Sequence, residues 1–326
     1  MRVFITGAGG FVGINVAEEL MNNGYDVRGL VHSKNEDILK HMGVKTVRGD
    51  LLQPESFMES MRNVDAVIHL ASPHPYKYSI EYRRENHVNA TRNLLEVMMK
   101  NNVKRIIFSS VAEVMGDSNK LPFTENMEER PIMLHAKFKL ETERLIGSYG
   151  ELRYTILRMV TIYGPWQIND GFYILIKGIA NSEYWTKFYI GNGEKLTQLV
   201  YVKDVAKAIK LVLEKEVSLN KKYFIAEEKP YTYKELYTII CEKFGKKSPS
   251  HGVPVTLAKL GVRVLSIVNK ITGEYSPFFN SEVIEIMSKD RYYSIEKAKK
   301  ELGFESTPFS EGLEKTISWY RERNLI

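Results

Sequence analysis

The chain has 326 residues, 44% apolar and 26% charged, with a net charge of +6. That balance fits a globular protein with a large core and two lobes. One cysteine, Cys241, excludes an internal disulfide, and the seven histidines are scattered without metal-ligand spacing, so no metal site is expected. The positive charge suits an anionic ligand or, more simply, a lysine-rich surface. No basic run with interleaved aromatics points to nucleic acid.

The chain opens on a strand, "MRVFITG", so no signal peptide is expected, and no apolar run reaches transmembrane length. With the lone cysteine, this makes the cytoplasm the expected location. Strands are predicted at 2–6, 26–31, 44–49, 66–71, 103–110 and 153–158, separated by helical patterns such as "FVGINVAEELMNNG" and "NATRNLLEVMMKNN". Continuous apolar strands alternating with helices predict a doubly wound α/β fold with a parallel, Rossmann-type sheet.

After Pro165 helices dominate, with short strands at 187–191, 196–202 and 221–226 and an amphipathic helix at 202–215. The reading divides the chain into a first domain over 1–165, with a return segment at about 196–226, and a smaller, mostly helical lobe from 166–195 and 227–326. In that lobe "VTLAKLGVRVLSIVNKI" reads as an amphipathic helix covering a core or an apolar pocket.

"FITGAGGFVGINVAEEL" places Gly7, Gly10 and Gly13 directly after the first strand and into a helix. Gly7 permits the tight turn, Gly10 lets the backbone approach a pyrophosphate, and Gly13 lets the helix pack on the strand. The free N–H groups and positive dipole end of that helix suit the phosphates, so the first domain is expected to bind a dinucleotide.

In these motifs the chain resembles the extended short-chain dehydrogenase/reductase family, which includes nucleotide-sugar epimerases and dehydratases. The likeness runs through "TGAGGFVG", "GDLLQ", "VIHLAS", "IIFSSVAEVMG", "LRMVTIYGP", "VYVKDVAKAI" and "KAKKELGF", in family order. It implies cofactor contacts at Gly7, Gly10, Phe11, Val12 and Gly13, at Asp50 and Leu51, and at Leu70, Ala71 and Ser72. An acidic residue at the end of the second strand usually marks NAD. Here that place is near Val31, and His32, Ser33 and Lys34 follow as candidates for a 2′-phosphate; the balance favours NADP over NAD.

The family's reaction centre resembles a Ser/Thr–Tyr–Lys set, in which a lysine favours the phenolate of the proton-transferring tyrosine and holds the cofactor ribose, so Lys139 is also an expected cofactor contact. In "LHAKFKLETERL", Lys139 fits the lysine, but the tyrosine position is His135. No tyrosine occurs between Arg83 and Ser148, so no slip of register restores it. The hydroxyl position falls at Val111, with Ser109 and Ser110 adjoining, and Ser110 is the candidate. A frequent family asparagine is His87. Glu113 matches the glutamate of the dehydratase branch and is a candidate base. Arg158 resembles the family's "R-P" arginine but is followed by Met159, and Thr197 stands near where a diphosphate-clamping arginine is usual. The resemblance therefore implies an NAD(P)-dependent enzyme acting at a secondary alcohol or ketone. The substrate is a nucleotide sugar or a relative of one, or a hydrophobic ketone of the hydroxysteroid-dehydrogenase kind. His135, Lys139, Glu113 and Ser110 are the expected catalytic set. A non-catalytic dinucleotide-binding protein is the rival. The only other partner expected is a second copy, through the fourth and fifth helices.

Overall fold

The computed structural model describes residues 1–32, 35–73, 78–118, 120–168, 171–272 and 281–326, with backbone alone for 265–272. Its strands are β1 (Arg2–Thr6), β2 (Asp26–Val31), β3 (Lys45–Arg48), β4 (Ala66–His69), β5 (Arg105–Val111), β6 (Arg153–Met159), β7 (Thr161–Tyr163), β8 (Phe188–Ile190), β9 (Leu196–Thr197), β10 (Leu199–Tyr201), β11 (Lys221–Ile225), β12 (Tyr231–Thr232) and β13 (His251–Val253). Its helices are α1 (Phe11–Asn22), α2 (Glu36–His41), α3 (Ile80–Arg84), α4 (Ala90–Lys100), α5 (Leu134–Ser148), α6 (Gly171–Ala180), α7 (Val202–Glu214), α8 (Tyr233–Lys243), α9 (Val255–Thr272), α10 (Ser281–Met287), α11 (Glu296–Leu302) and α12 (Phe309–Arg321).

Seven strands form one parallel sheet in the order β11-β6-β5-β4-β1-β2-β3, the Rossmann order with one strand added. Side chains alternate across it. Val3, Ile5, Ile68, Ile107 and Leu157 pack in one apolar cluster with α1 and α7, while Phe4, Val67, Ile106, Phe108 and Ile156 pack in another with Leu94, Leu95 and Met98 of α4. Burial on both faces is why these strands read as unbroken apolar runs. A third cluster, rich in aromatics such as Tyr163, Phe172, Tyr237 and Phe309, packs α6, α8 and α12 against β7 and β10.

The predicted run 196–202 is two strands. Gln198 turns its amide inward, donating to the Glu227 carbonyl at 2.8 Å and accepting from Tyr293 N–H at 2.7 Å. β9 therefore pairs antiparallel with β12, while β10 pairs with β7. The predicted strand 66–71 ends at His69, where Leu70 and Ala71 leave the sheet.

α9 packs on α10 and leaves Leu257, Leu260 and Val264 exposed. The apolar pocket is covered by α10 rather than by the described side chains of α9. Between α3 and α4 the helical path widens into a π turn at Glu85–Asn89, which packs against α5 and buries His87.

Candidate active site

Two cavities adjoin at the start of α1. The first, about 430 Å³, is lined by Gly7, Gly9, Gly10, Val31, His32, Asp50, Leu51, Ala71 and Ser72, with Tyr78, Tyr82 and Asn86 across from them. Gly7 has φ +71°, and a Cβ there would stand 2.8 Å from the Ala71 nitrogen. A Cβ on Gly13 would lie 2.2 Å from the Gly7 carbonyl oxygen, so Gly13 serves helix–strand contact. The first intrahelical bond of α1 runs from Ile14 N–H to the Gly10 carbonyl, and no side chain caps the helix. The N–H groups of Phe11, Val12 and Gly13 therefore have no intrahelical acceptor, which fits a pyrophosphate over Gly10.

Not every expected contact lines this cavity. Phe11 faces the second cavity, while Val12 and Leu70 pack against the core. Ser33 and Lys34 lie outside the described residues. Asp50 lines the cavity and accepts the Leu52 N–H at 2.9 Å, closing its own turn. Asn35 was not foreseen. It adopts φ +59° and donates to the Gly9 carbonyl at 2.8 Å, tying the loop after β2 to the glycine loop. Its signal was available, since asparagine tolerates the left-handed region better than most residues.

The second cavity, about 410 Å³, is lined by two of the four expected catalytic residues, His135 and Glu113. His135, Glu113, Val111 and Thr197 line it, and its walls are Phe11, Met133, Met159, Ile162, Phe172, Leu175, Leu236, Ile286 and Met287. Glu113 keeps some surface open to the cavity but is otherwise enclosed, and burial raises its carboxyl pKa against the opposing pull of Arg291. Tyr233, which sequence reading missed, also lines the cavity, and burial pushes its hydroxyl up to about 12. No local pattern in "YTYKEL" distinguishes it from a core aromatic.

Lys139 sits one turn below His135, 3% exposed, and its ammonium donates to the Ser109 carbonyl at 2.8 Å. Burial lowers its pKa to about 7, with Glu143 opposing. The structure thus brings His135 and Glu113 to one cavity, with Lys139 buried one turn along α5 and outside the lining, and it does not bring Ser110 there. Strand alternation turns Val111 to the cavity and Ser110 away, and the Ser110 hydroxyl donates to Glu143 at 2.5 Å. Glu143 in turn holds the fully buried Arg158 at 2.6 Å, and Arg158 also meets Glu129 at 2.6 Å. Ser110 and Arg158 are parts of a buried ionic brace, which corrects the catalytic assignment of Ser110.

His69, in "VIHLAS", is braced by a chain whose directions fix its tautomer. Thr91 donates to the His87 carbonyl at 2.6 Å, so the hydrogen on His69 Nε2 goes to Thr91, 2.9 Å away. Its Nδ1 then accepts from Thr6 at 2.7 Å. Burial, with Lys139 adding repulsion, holds this imidazole neutral, its pKa down at about 3.

The sequence of this chain matches the model of the NAD dependent epimerase/dehydratase family over residues 3–226. The chain belongs to that family. It is 26% identical to Protein CapI of Staphylococcus aureus, with 99% of each chain covered. It is 25% identical to human sterol-4-alpha-carboxylate 3-dehydrogenase, decarboxylating, over 100% of this chain and 90% of that one. In fold it is similar to the structure of UDP-glucose 4-epimerase from Thermotoga maritima with UDP-glucose, at TM-score 0.81 and 24% identity, covering 99% and 100% of the two chains. The chain is an NAD(P)-dependent oxidoreductase of the epimerase/dehydratase type. Among the described residues no helix is long and apolar enough to cross a membrane.

Proposed function

We propose that this enzyme oxidises a secondary alcohol, or reduces the matching ketone, on a predominantly apolar substrate, with His135 moving the hydroxyl proton. The observation that carries the substrate class is the lining of the second cavity. Among the described residues it offers one carboxylate, one imidazole and the neutral polar groups of Thr161, Gln167, Thr197 and Tyr233 in an otherwise aliphatic, thioether and aromatic wall, and no arginine or lysine lines it. A diphosphate there would be desolvated without a cation, whereas an apolar ring system would be well received.

The cofactor would lie along Gly7, Gly10 and Asp50 and, when bound, takes up or supplies the hydride. Lys139, buried between β5 and α5, would act on both proton and ribose. His135 needs less activation than a phenol, since an imidazole titrates near neutrality. The second reading, a nucleotide sugar, has Arg291 in its favour. This side chain is 4% exposed, donates to the Gly116 carbonyl, and has an Nε without a hydrogen-bond partner among the described residues.

The test is a spectrophotometric assay of nicotinamide reduction with a 3β-hydroxysterol and with UDP-glucose, each offered with NAD and with NADP. The reading predicts turnover of the sterol; turnover of UDP-glucose alone would establish the second reading. NADP is proposed as the tighter cofactor because Val31 and His32 line the ribose end where a carboxylate would mark NAD. Tenfold tighter NAD, about 1.4 kcal/mol, would reverse that choice. A homodimer through α4 and α5 belongs to the same reading.

A further inference from the structure

We propose that His87 is the positioning partner of His135, the two imidazoles forming one proton-holding pair behind the apolar cavity. The inference rests on the reading of His135 as the acid/base group, and it adds a residue that neither the glycine motif nor the Ser/Thr–Tyr–Lys pattern assigns.

The geometry begins with the π turn at Glu85–Asn89. A π turn accommodates one extra residue and shifts the facing of the side chains around it, and such turns recur at functional sites. Here it packs against α5 and leaves His87 3% exposed. The His87 and His135 rings stand 5.2 Å apart, centre to centre, at 59°. Phe138, also of α5, stands 5.9 Å from the His87 ring. The separation is short enough for a small rotamer adjustment to bring nitrogen to nitrogen at hydrogen-bond length. His87 Nε2 is buried and has no hydrogen-bond partner among the described residues. A buried polar nitrogen left in this state loses free energy, and a shared proton would recover it.

The groups facing His87 are all basic. Lys139 and His135 come from α5, His69 from β4 and Arg83 from α3. Burial first, and then these neighbours, hold the His87 ring neutral, far below its ordinary pKa. With its hydrogen on Nδ1, the neutral ring presents Nε2 as an acceptor. His135 Nδ1 is buried while the residue lines the cavity, so Nε2 is the edge that serves a substrate. When a substrate hydroxyl is oxidised, its carbon gives up a hydride with two electrons, and its O–H proton passes to His135 Nε2. The Nδ1 hydrogen of the resulting imidazolium then points its positive charge at His87 Nε2. In reduction the same proton returns to the new alkoxide. Repulsion from the Lys139 ammonium limits the pair to one extra proton, so the two rings titrate as a coupled unit.

The test is ring-nitrogen NMR of the full chain, labelled at histidine and titrated with pH, in the wild type, His87→Phe and His87→Gln, with turnover measured in parallel. The pairing predicts that His87→Phe lowers the His135 midpoint by about half a pH unit or more, since an acceptor for the imidazolium is lost. His87→Gln, which keeps an acceptor oxygen, should recover part of the shift. The acid limb of the turnover profile should move with the midpoint while cofactor affinity stays put. A His135 midpoint that is unchanged or raised in folded His87→Phe would overturn the pairing. If instead His135→Ala turns over at the wild-type rate, the acid/base reading has failed, and the NMR titration still decides whether the rings are coupled.

Discussion

Lys139 carries its amine in a place hostile to charge, and that has a consequence for stability. Its pKa falls from the usual 10.5 to about 7 in the folded chain. Between those values the unfolded chain binds more protons, so unfolding free energy rises with pH across that window and is lost as pH falls through about 7. Urea denaturation at a series of pH values should show this slope flattened in Lys139→Met; parallel slopes for the two proteins would contradict it. At the same scale, Glu143→Leu strips the buried Arg158 of its innermost carboxylate and should destabilise by about 3–5 kcal/mol. Ser110→Ala should lose only about 1 kcal/mol and leave turnover unchanged, read from melts and rates side by side. A collapse of turnover in Ser110→Ala would return that hydroxyl to the machinery. The meeting of His135 and Glu113 on one cavity was legible because each occupies a fixed step in a motif. The error at Ser110 has a simple cause. In "FSSVAE" consecutive side chains face opposite sides of the sheet, and the sequence does not say which serine faces the cavity.

At the scale of the element, the glycine turn separates two roles that its sequence runs together. Gly13→Ala would drive a Cβ to within 2.2 Å of the Gly7 oxygen and 2.7 Å of the Ala8 oxygen, both backbone. It should destabilise by about 1–3 kcal/mol. At Gly10 a Cβ meets only the Gly7 oxygen, at 3.2 Å, so Gly10→Val should stay folded while its side chain fills the cavity. Calorimetry should show dinucleotide affinity reduced at least tenfold in Gly10→Val, and unchanged affinity would remove the phosphate from that turn. β1, α1 and the parallel strands were readable because propensity, periodicity and glycine spacing agree. The π turn was not. "RRENHVNATRN" has ordinary helical periodicity, and the extra residue is accommodated only through packing against α5.

For the whole molecule, the sheet order followed from the alternation of strands and helices, whereas the character of the second cavity did not. Its walls come from β5, β6, α6, α8 and α10, which lie far apart in sequence and meet only in the fold. The outward faces of α4 and α5 carry Arg92, Glu96, Lys100, Lys137, Glu141 and Arg144. A dimer through them would rest on screened charge, so sedimentation should show it weakening between low and physiological salt; a salt-independent dimer would place the contact elsewhere. The account's central claim is that His135 does the family tyrosine's work in this cavity. The measurement that tests it most directly is turnover in His135→Ala with cofactor affinity determined on the same sample, once a substrate supports hydride transfer. The account predicts a fall of roughly 10²–10⁴-fold in turnover with affinity nearly unchanged. Turnover equal to that of the wild type would contradict it and pass the proton to Glu113 or to the substrate itself.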